Sequence, residues 1–161
     1  MKIMITGHRP NSLSNDYGYD YHSGKWKYTI QIFKELLIRY KATEAITGMA
    51  LGADTAFAIA VLELKKSGYD LKLHCAIPCL NHSSKWPEKS RELYHSILRQ
   101  ADLVQVVSEE SYQLRLMQIR NEYMVDHSDL LIAFWNGEKG GTKNCIDYAK
   151  KQFRPMIWIE P

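Results

Sequence analysis

Cysteine is scarce in this chain, and what little there is follows no pairing pattern. Cys75, Cys79 and Cys145 make an odd number without CxxC spacing, which argues for a reducing, cytoplasmic setting over a disulfide scaffold. Long hydrophobic runs are missing too. None approaches the roughly 20 apolar residues that span a bilayer, so no membrane partner is expected. The N-terminus passes straight into a strand pattern with no signal-peptide form. Nor is one sign of charge in excess: 21 Lys+Arg against 18 Asp+Glu leave +3. A balance that mild argues against a nucleic-acid partner but suits an anionic small ligand. A metal site is not expected either, because Cys75, the neighbour of His74 and near Cys79 and His82, falls inside a strand-like run where a thiol is ordinary core.

What is present is an ordinary globular composition, 45% hydrophobic and 24% charged over 161 residues. That length suits one domain, 1–161, with a core of its own. Apolar runs at Lys2–Thr6, Glu44–Thr47, Leu71–Ile77, Leu103–Val107, Leu130–Trp135 and Met156–Ile159 read as strands. They are continuously apolar, as strands covered on both faces are. Helical patterns lie between them near Gly24–Tyr40, Ala53–Lys66, Lys85–Gln100, Tyr112–His127 and Thr142–Gln152. The first places Ile32, Phe33, Leu36, Leu37 and Tyr40 on one stripe, and the second Phe57, Ala60, Val61 and Leu64. Ser67-Gly68 closes the second helix with a left-handed cap. Strand–helix alternation of this kind predicts an α/β, Rossmann-like, doubly wound and mostly parallel sheet of about six strands, with helices on both faces. Right-handed crossovers then bring every strand-to-helix loop to the carboxyl edge of the sheet.

Three of those loops carry glycine. Thr6-Gly7-His8-Arg9-Pro10 follows the first strand: Gly7 permits close backbone approach and Arg9 can fork onto phosphate. His8 can donate to a phosphate or act as acid–base, or the segment can be a plain turn with exposed Arg and His. Gly48-Met49-Ala50-Leu51-Gly52-Ala53-Asp54 follows the second strand, with Gly48, Leu51 and Gly52 able to curl N–H groups around an anion. Asp54 falls in the first turn of the next helix, where it can complement the dipole or meet a ribose hydroxyl. The third stretch, 120–142, carries most of the information. Arg120 and Asn121 lie on the fourth helix, with Arg120, Met124 and His127 on one face. Arg120 can bind phosphate bidentately, or pair on the surface with Asp126 or Glu122. Gly140-Gly141-Thr142, with Lys139 beside it, opens the last helix as an anion-binding junction. Trp86 can stack on a base or anchor the core. In the irregular segment Asn11–Ser23, Tyr17, Tyr19 and Tyr21 can form a lid or pack the loop. Several glycine turns on one sheet edge point to a nucleotide.

Together ITGHRP, ITGMALGAD and RNxxMVDxSDLLIAFWxGxxGGT resemble the SLOG superfamily through nearly the whole chain. The superfamily joins DprA-like DNA-processing proteins, LOG-type phosphoribohydrolases and small YpsA-like proteins, the last found in Firmicutes and their phages. The resemblance implies a Rossmann-like fold with a nucleotide pocket at the carboxyl edge. LOG-type enzymes cleave a nucleotide's N-glycosidic bond using a helix Arg, which Arg120 matches, and a Gly-Gly-x-Gly-Thr turn, whose last two residues Gly141-Thr142 match. The two glutamates that follow that turn are replaced here by Asn144 and Cys145. Neither supplies a carboxylate, a loss of roughly two to four orders of magnitude in rate. Glu122, Glu138 and Asp54 are the acids left as substitutes. Other members sense ADP-ribose-, NAD- or cyclic-nucleotide-like signals. The expectation is therefore a nucleotide-derivative receptor or sequestering protein, with no cofactor beyond that ligand and with self-association open. A nucleotide N-glycosidase and a DprA-like single-stranded DNA binder are the alternatives.

Overall fold

All six apolar runs become strands of one sheet in the computed structural model, which describes residues 1–161. They are β1 (Lys2–Gly7), β2 (Glu44–Thr47), β3 (Lys72–Ile77), β4 (Leu103–Val106), β5 (Leu130–Phe134) and β6 (Met156–Ile159). Every pairing is parallel, in the order β4-β3-β2-β1-β5-β6. Five helices connect them: α1 (Gly24–Arg39), α2 (Ala53–Lys66), α3 (Glu88–Gln100), α4 (Leu114–Asp126) and α5 (Gly141–Lys151). Strand order reverses between β1 and β5, so the chain departs to opposite sides there and opens a crevice beyond the strand ends.

Period-two alternation divides the sheet between two cores. Ile3, Ile5, Leu73, Cys75, Ile132 and Phe134 join the larger core with α1, α2 and α3. Met4, Ile46, Ala76, Leu131 and Ala133 face the smaller one, closed by α4 and α5. Helix α2 is buried almost all round because it lies beneath α1 and α3 and against the sheet. The expectation of strands covered on both faces holds for β1, β3 and β5 but not at the rims, where Leu103, Val104 and Trp158 are exposed. The stripe of α1 is also rotated from the sequence reading. Trp26, Thr29, Ile30, Phe33 and Leu37 turn inward, whereas Ile32 and Tyr40 are exposed.

Trp26 explains that rotation. It is fully buried and donates its indole N–H to Gly18 O at 2.9 Å. Tyr17 meets it edge-on at 4.8 Å between ring centroids, and Tyr21 lies 5.4 Å away. The 11–23 segment therefore adds its aromatics to the core. Tyr17 and Tyr21 pack there instead of forming a lid. Trp86 is likewise an anchor, edge-on to His82 at 4.9 Å and to Tyr94 at 5.2 Å. Its helix starts at Glu88, later than the sequence suggests, with Pro87 as the N-cap residue.

His82 and Tyr94 form a buried polar knot under this anchor, with no hydrogen-bond partner for either His82 ring nitrogen or the Tyr94 hydroxyl. Burial, reinforced by the positive charge of Arg120 and Arg9, holds the His82 pKa down at about 3.

Two stability predictions follow from this packing. Trp26→Ala should cost about 3–5 kcal/mol in urea unfolding through the cavity and the lost loop anchor. The unfolded chain protonates His82 near pH 6.5 and the folded one does not, so between about pH 6.5 and 3 unfolding takes up a proton and stability falls with acidification. That contribution amounts to about 1.4 kcal/mol per pH unit. Denaturant midpoints against pH should show a shallower slope across this window in His82→Phe; an unchanged slope would place the titration elsewhere.

Candidate functional site

Gly7 ends β1 where backbone and helix crowd together. A Cβ there would stand 2.5 Å from Ala53 Cβ and 2.9 Å from Phe134 Cβ. The next residue is clamped on both sides: His8 N donates to Phe134 O at 3.2 Å, and His8 O accepts from Ala53 N at 3.1 Å. The His8 ring, 8% exposed, bridges the strand-order reversal to Asn136 after β5. Its Nε2 lies 2.7 Å from Asn136 Oδ1 and 3.1 Å from Asn136 N. Protonated, Nε2 donates to the amide oxygen; bare, it accepts from the backbone N–H. It can serve one at a time.

The loop after β2 differs from the expected anion cradle. Three of its N–H groups are already used. Met49 N donates to Thr47 Oγ1, Ala50 N to Asp54 Oδ2 and Gly52 N to Tyr21 Oη. Thr47 Oγ1 donates to Asp54 O, and Thr55 Oγ1 to Ala50 O, closing the turn from within. Gly52, at φ 92°, lies so close to the His8 carbonyl that a Cβ would overlap it. Gly48 is bare for a related reason: a Cβ would occupy the space of the Arg120 guanidinium. Leu51 turns away toward a separate hollow beside Tyr19 and Tyr21. Of this loop, only Ala50 and Asp54 reach the cleft at the reversal point.

Arg120 rises from α4 into that cleft and is 3% exposed. It makes none of the surface pairs open to it in the sequence. Nε donates to Asn121 Oδ1 at 2.9 Å and Nη1 donates to Gly48 O. The other three N–H donors have no partner within the protein. Burial lowers the Arg120 pKa and raises that of Asp54, while their mutual attraction keeps both shifts in check.

The opposite wall is the start of α5. Gly140, at φ 147°, is its N-cap residue, no side chain caps it, and no acidic residue occupies its first turn. The N–H groups of Gly141, Thr142 and Lys143 precede the first intrahelical bond, Asn144 N to Gly140 O at 3.0 Å, and so remain free for an anion. Gly140, Gly141 and Thr142 all line the cleft.

The cleft encloses about 300 Å³. It brings together Gly7, His8, Arg9, Asp54, Arg120, Asn121, Gly140, Gly141 and Thr142 from the sequence reading, and leaves Gly48, Leu51, Gly52, Tyr17, Tyr21 and Trp86 outside. It adds Ser12, Tyr112, Leu114 and Met117, which the sequence reading passed over. Tyr112 and Leu114 are 44% and 80% exposed, an apolar lip on a polar site. Topology was the available signal for them, since the loop entering α4 also belongs to the carboxyl edge. Of the spare acids, Asp54 and Glu138 line the cleft and Glu122 does not. Cys145 is fully buried in the smaller core, its thiol pushed up to about 12 by burial, and Asn144 is exposed. His74, beside Cys75, spends its ring nitrogens on Glu44 and Tyr123. No helix is long and apolar enough to cross a membrane.

Comparison with known proteins places this architecture. The fold is similar to DNA processing protein A (DprA) of Streptococcus pneumoniae, with TM-score 0.65 at 15% identity over 98% of this chain and 49% of that one. DprA of Helicobacter pylori, solved for its single-stranded DNA binding mode, gives TM-score 0.69 at 21% identity over 98% of this chain and 64% of that one. The chain thus spans from about half to just under two thirds of these structures, and at such identity the likeness is one of fold. Sequence relatives lie nearer. The SPbeta prophage-derived protein YoqJ of Bacillus subtilis is 33% identical over 135 residues, 77% of this chain and 79% of that protein. A UPF0398 protein of Bacillus cereus is 30% identical over 162 aligned positions, covering 93% of this chain and 83% of the relative. The model of the YspA SLOG family matches residues 3–156, and the chain belongs to that family.

Proposed function

We propose that the cleft binds a phosphorylated small molecule of the nucleotide class and holds it as a receptor or sequestering protein. One observation carries the reading: the uncapped start of α5 faces the same cleft as three uncommitted N–H donors of buried Arg120. Oriented N–H dipoles and a desolvated guanidinium favour a phosphate over water. Arg9 and Lys139 add positive charge at the rim. Tyr112 and Leu114 offer an exposed apolar surface for a planar ring, a role Trp86 does not fill because it lies outside the cleft. An ADP-ribose-, NAD- or cyclic-nucleotide-like compound combines these features.

Retention is favoured over cleavage because Cys145 is committed to the core and Asn144 carries no carboxylate. Asp54 and Glu138 are the acids within reach, so a free base released from any bound nucleotide would reassign the cleft to an N-glycosidase. A second reading, single-stranded DNA binding, draws on the fold shared with DprA. It requires affinity that falls steeply with salt, whereas one phosphate in a desolvated cleft gives a shallow dependence.

The test is calorimetry with a nucleotide panel, starting from whatever native mass spectrometry finds on the purified protein. Gly141 has open space where a Cβ would go, so Gly141→Val should leave the fold intact and block the α5 terminus. At least ten-fold weaker binding, about 1.4 kcal/mol, is expected at an unchanged melting temperature. Arg120→Ala should weaken binding and also lower the melting temperature, because buried Asp54 loses the positive charge nearest in effect and Gly48 O loses its donor. A nucleotide bound equally well by wild type and both variants would mean that the cleft is not its site.

A further inference from the structure

Two helix N-termini reach this cleft, and they are not equivalent. The first turn of α2 carries Asp54, whereas the first turn of α5 has no acidic residue. The α2 terminus is already neutralised by its own carboxylate, and its leading N–H, Ala53 N, is taken by His8 O. An anionic group is attracted to α5 and repelled from α2. The cleft therefore has a direction.

Asp54 also has bonding capacity left. It is 6% exposed and lines the cleft; Oδ2 accepts from Ala50 N at 3.2 Å, and Oδ1 has no donor within the protein. Arg120, the cation nearest in effect, acts on it through space without a direct ion pair, its bonds going to Gly48 and Asn121. Asp54 Oδ1 is open to the cleft, and once a ligand excludes water from it, it is costly unless something donates to it. In a cleft that Arg9, Arg120 and Lys139 make unfavourable to a cation, the fitting donor is a neutral one. A sugar hydroxyl carried by the same molecule as the phosphate meets that requirement.

We infer that Asp54 accepts a ribose hydroxyl, so that the cleft selects a ribose-bearing phosphate over its deoxy counterpart. The inference rests on the phosphate reading of the α5 terminus. Phosphate on α5 and hydroxyl on Asp54 fix the orientation of the ligand, and the planar ring is left to the Tyr112–Leu114 lip. A ligand without the hydroxyl leaves a buried charged acceptor unpaired, and polar sites of this kind discriminate more strongly than apolar ones.

The experiment titrates adenosine 5′-monophosphate and 2′,3′-dideoxyadenosine 5′-monophosphate into wild type and Asp54→Asn by calorimetry. Wild type should bind the dideoxy compound at least ten-fold more weakly. Asp54→Asn should narrow the ratio to about three-fold or less, mainly by weakening the ribose compound. Equal wild-type affinity for the two probes would overturn the hydroxyl role and leave the phosphate site standing. Binding of neither would overturn the phosphate reading and this inference together. Because the wild-type comparison decides the matter alone, a poorly folded variant would not rescue the proposal.

Discussion

A guanidinium buried beneath the sheet's carboxyl edge is the constraint on which the site depends. Moving an arginine out of water costs several kcal/mol unless its donors and charge are met. Arg120 is met from two directions, by the carbonyl of Gly48 after β2 and by Asn121 on its own helix, with Asp54 supplying the opposing charge. These partners come from both sides of the sheet, since α2 covers one face and α4 the other. Satisfying one cation thus ties the two layers together at the cleft. The tie continues along the chain: the loop held by Arg120 at Gly48 presses Gly52 onto the His8 carbonyl, and His8 reaches across the reversal to Asn136. The position of the first loop is set by the burial of a charge some way off.

Much of this was legible from residue order. Alternating apolar runs and helical stripes suffice for a parallel sheet, and parallel connectivity is enough to bring the loops to one edge. Arg120 and the Gly140–Thr142 junction were visible as a candidate pair because their chemistry is local to one stretch. The loop after β2 shows where such reading ends. Glycines at positions 48 and 52 suggest free N–H groups, yet the acceptors that consume them are Thr47, Asp54 and Tyr21. Tyr21 comes from a segment more than thirty residues away in sequence, so no local pattern records it. The glycines are needed for space: one admits Arg120 and the other admits the His8 carbonyl.

The aromatics carry the same lesson in reverse. Tyr17, Tyr21 and Trp86 resemble ligand contacts when seen beside glycine loops, but each fills a gap against Trp26, Phe134 or Tyr94. Tyr112 and Leu114 looked like the start of a helix and nothing more. Their exposure on a polar cleft becomes visible only once α4 is placed, because an apolar side chain is informative by where it is left, not by its type.

Position 145, where the resemblance to LOG-type enzymes implies a glutamate, follows the same logic. In α5, residues 145, 146 and 149 turn into the smaller core, which Met4, Ile46 and Ala133 share. A carboxylate at position 145 would be fully buried, beside the Thr6 hydroxyl and within reach of the Arg120 charge. Cysteine is a small, well-tolerated filler at such a place. The terminus of α5 is thus left free to attract an anion while the body of the helix is given over to packing. Any chemistry would have to come from Asp54, His8 or Glu138. Asp54 and His8 also hold the loops that form the cleft, through Ala50 and Asn136, so groups that face the cleft are the same ones that fix its shape.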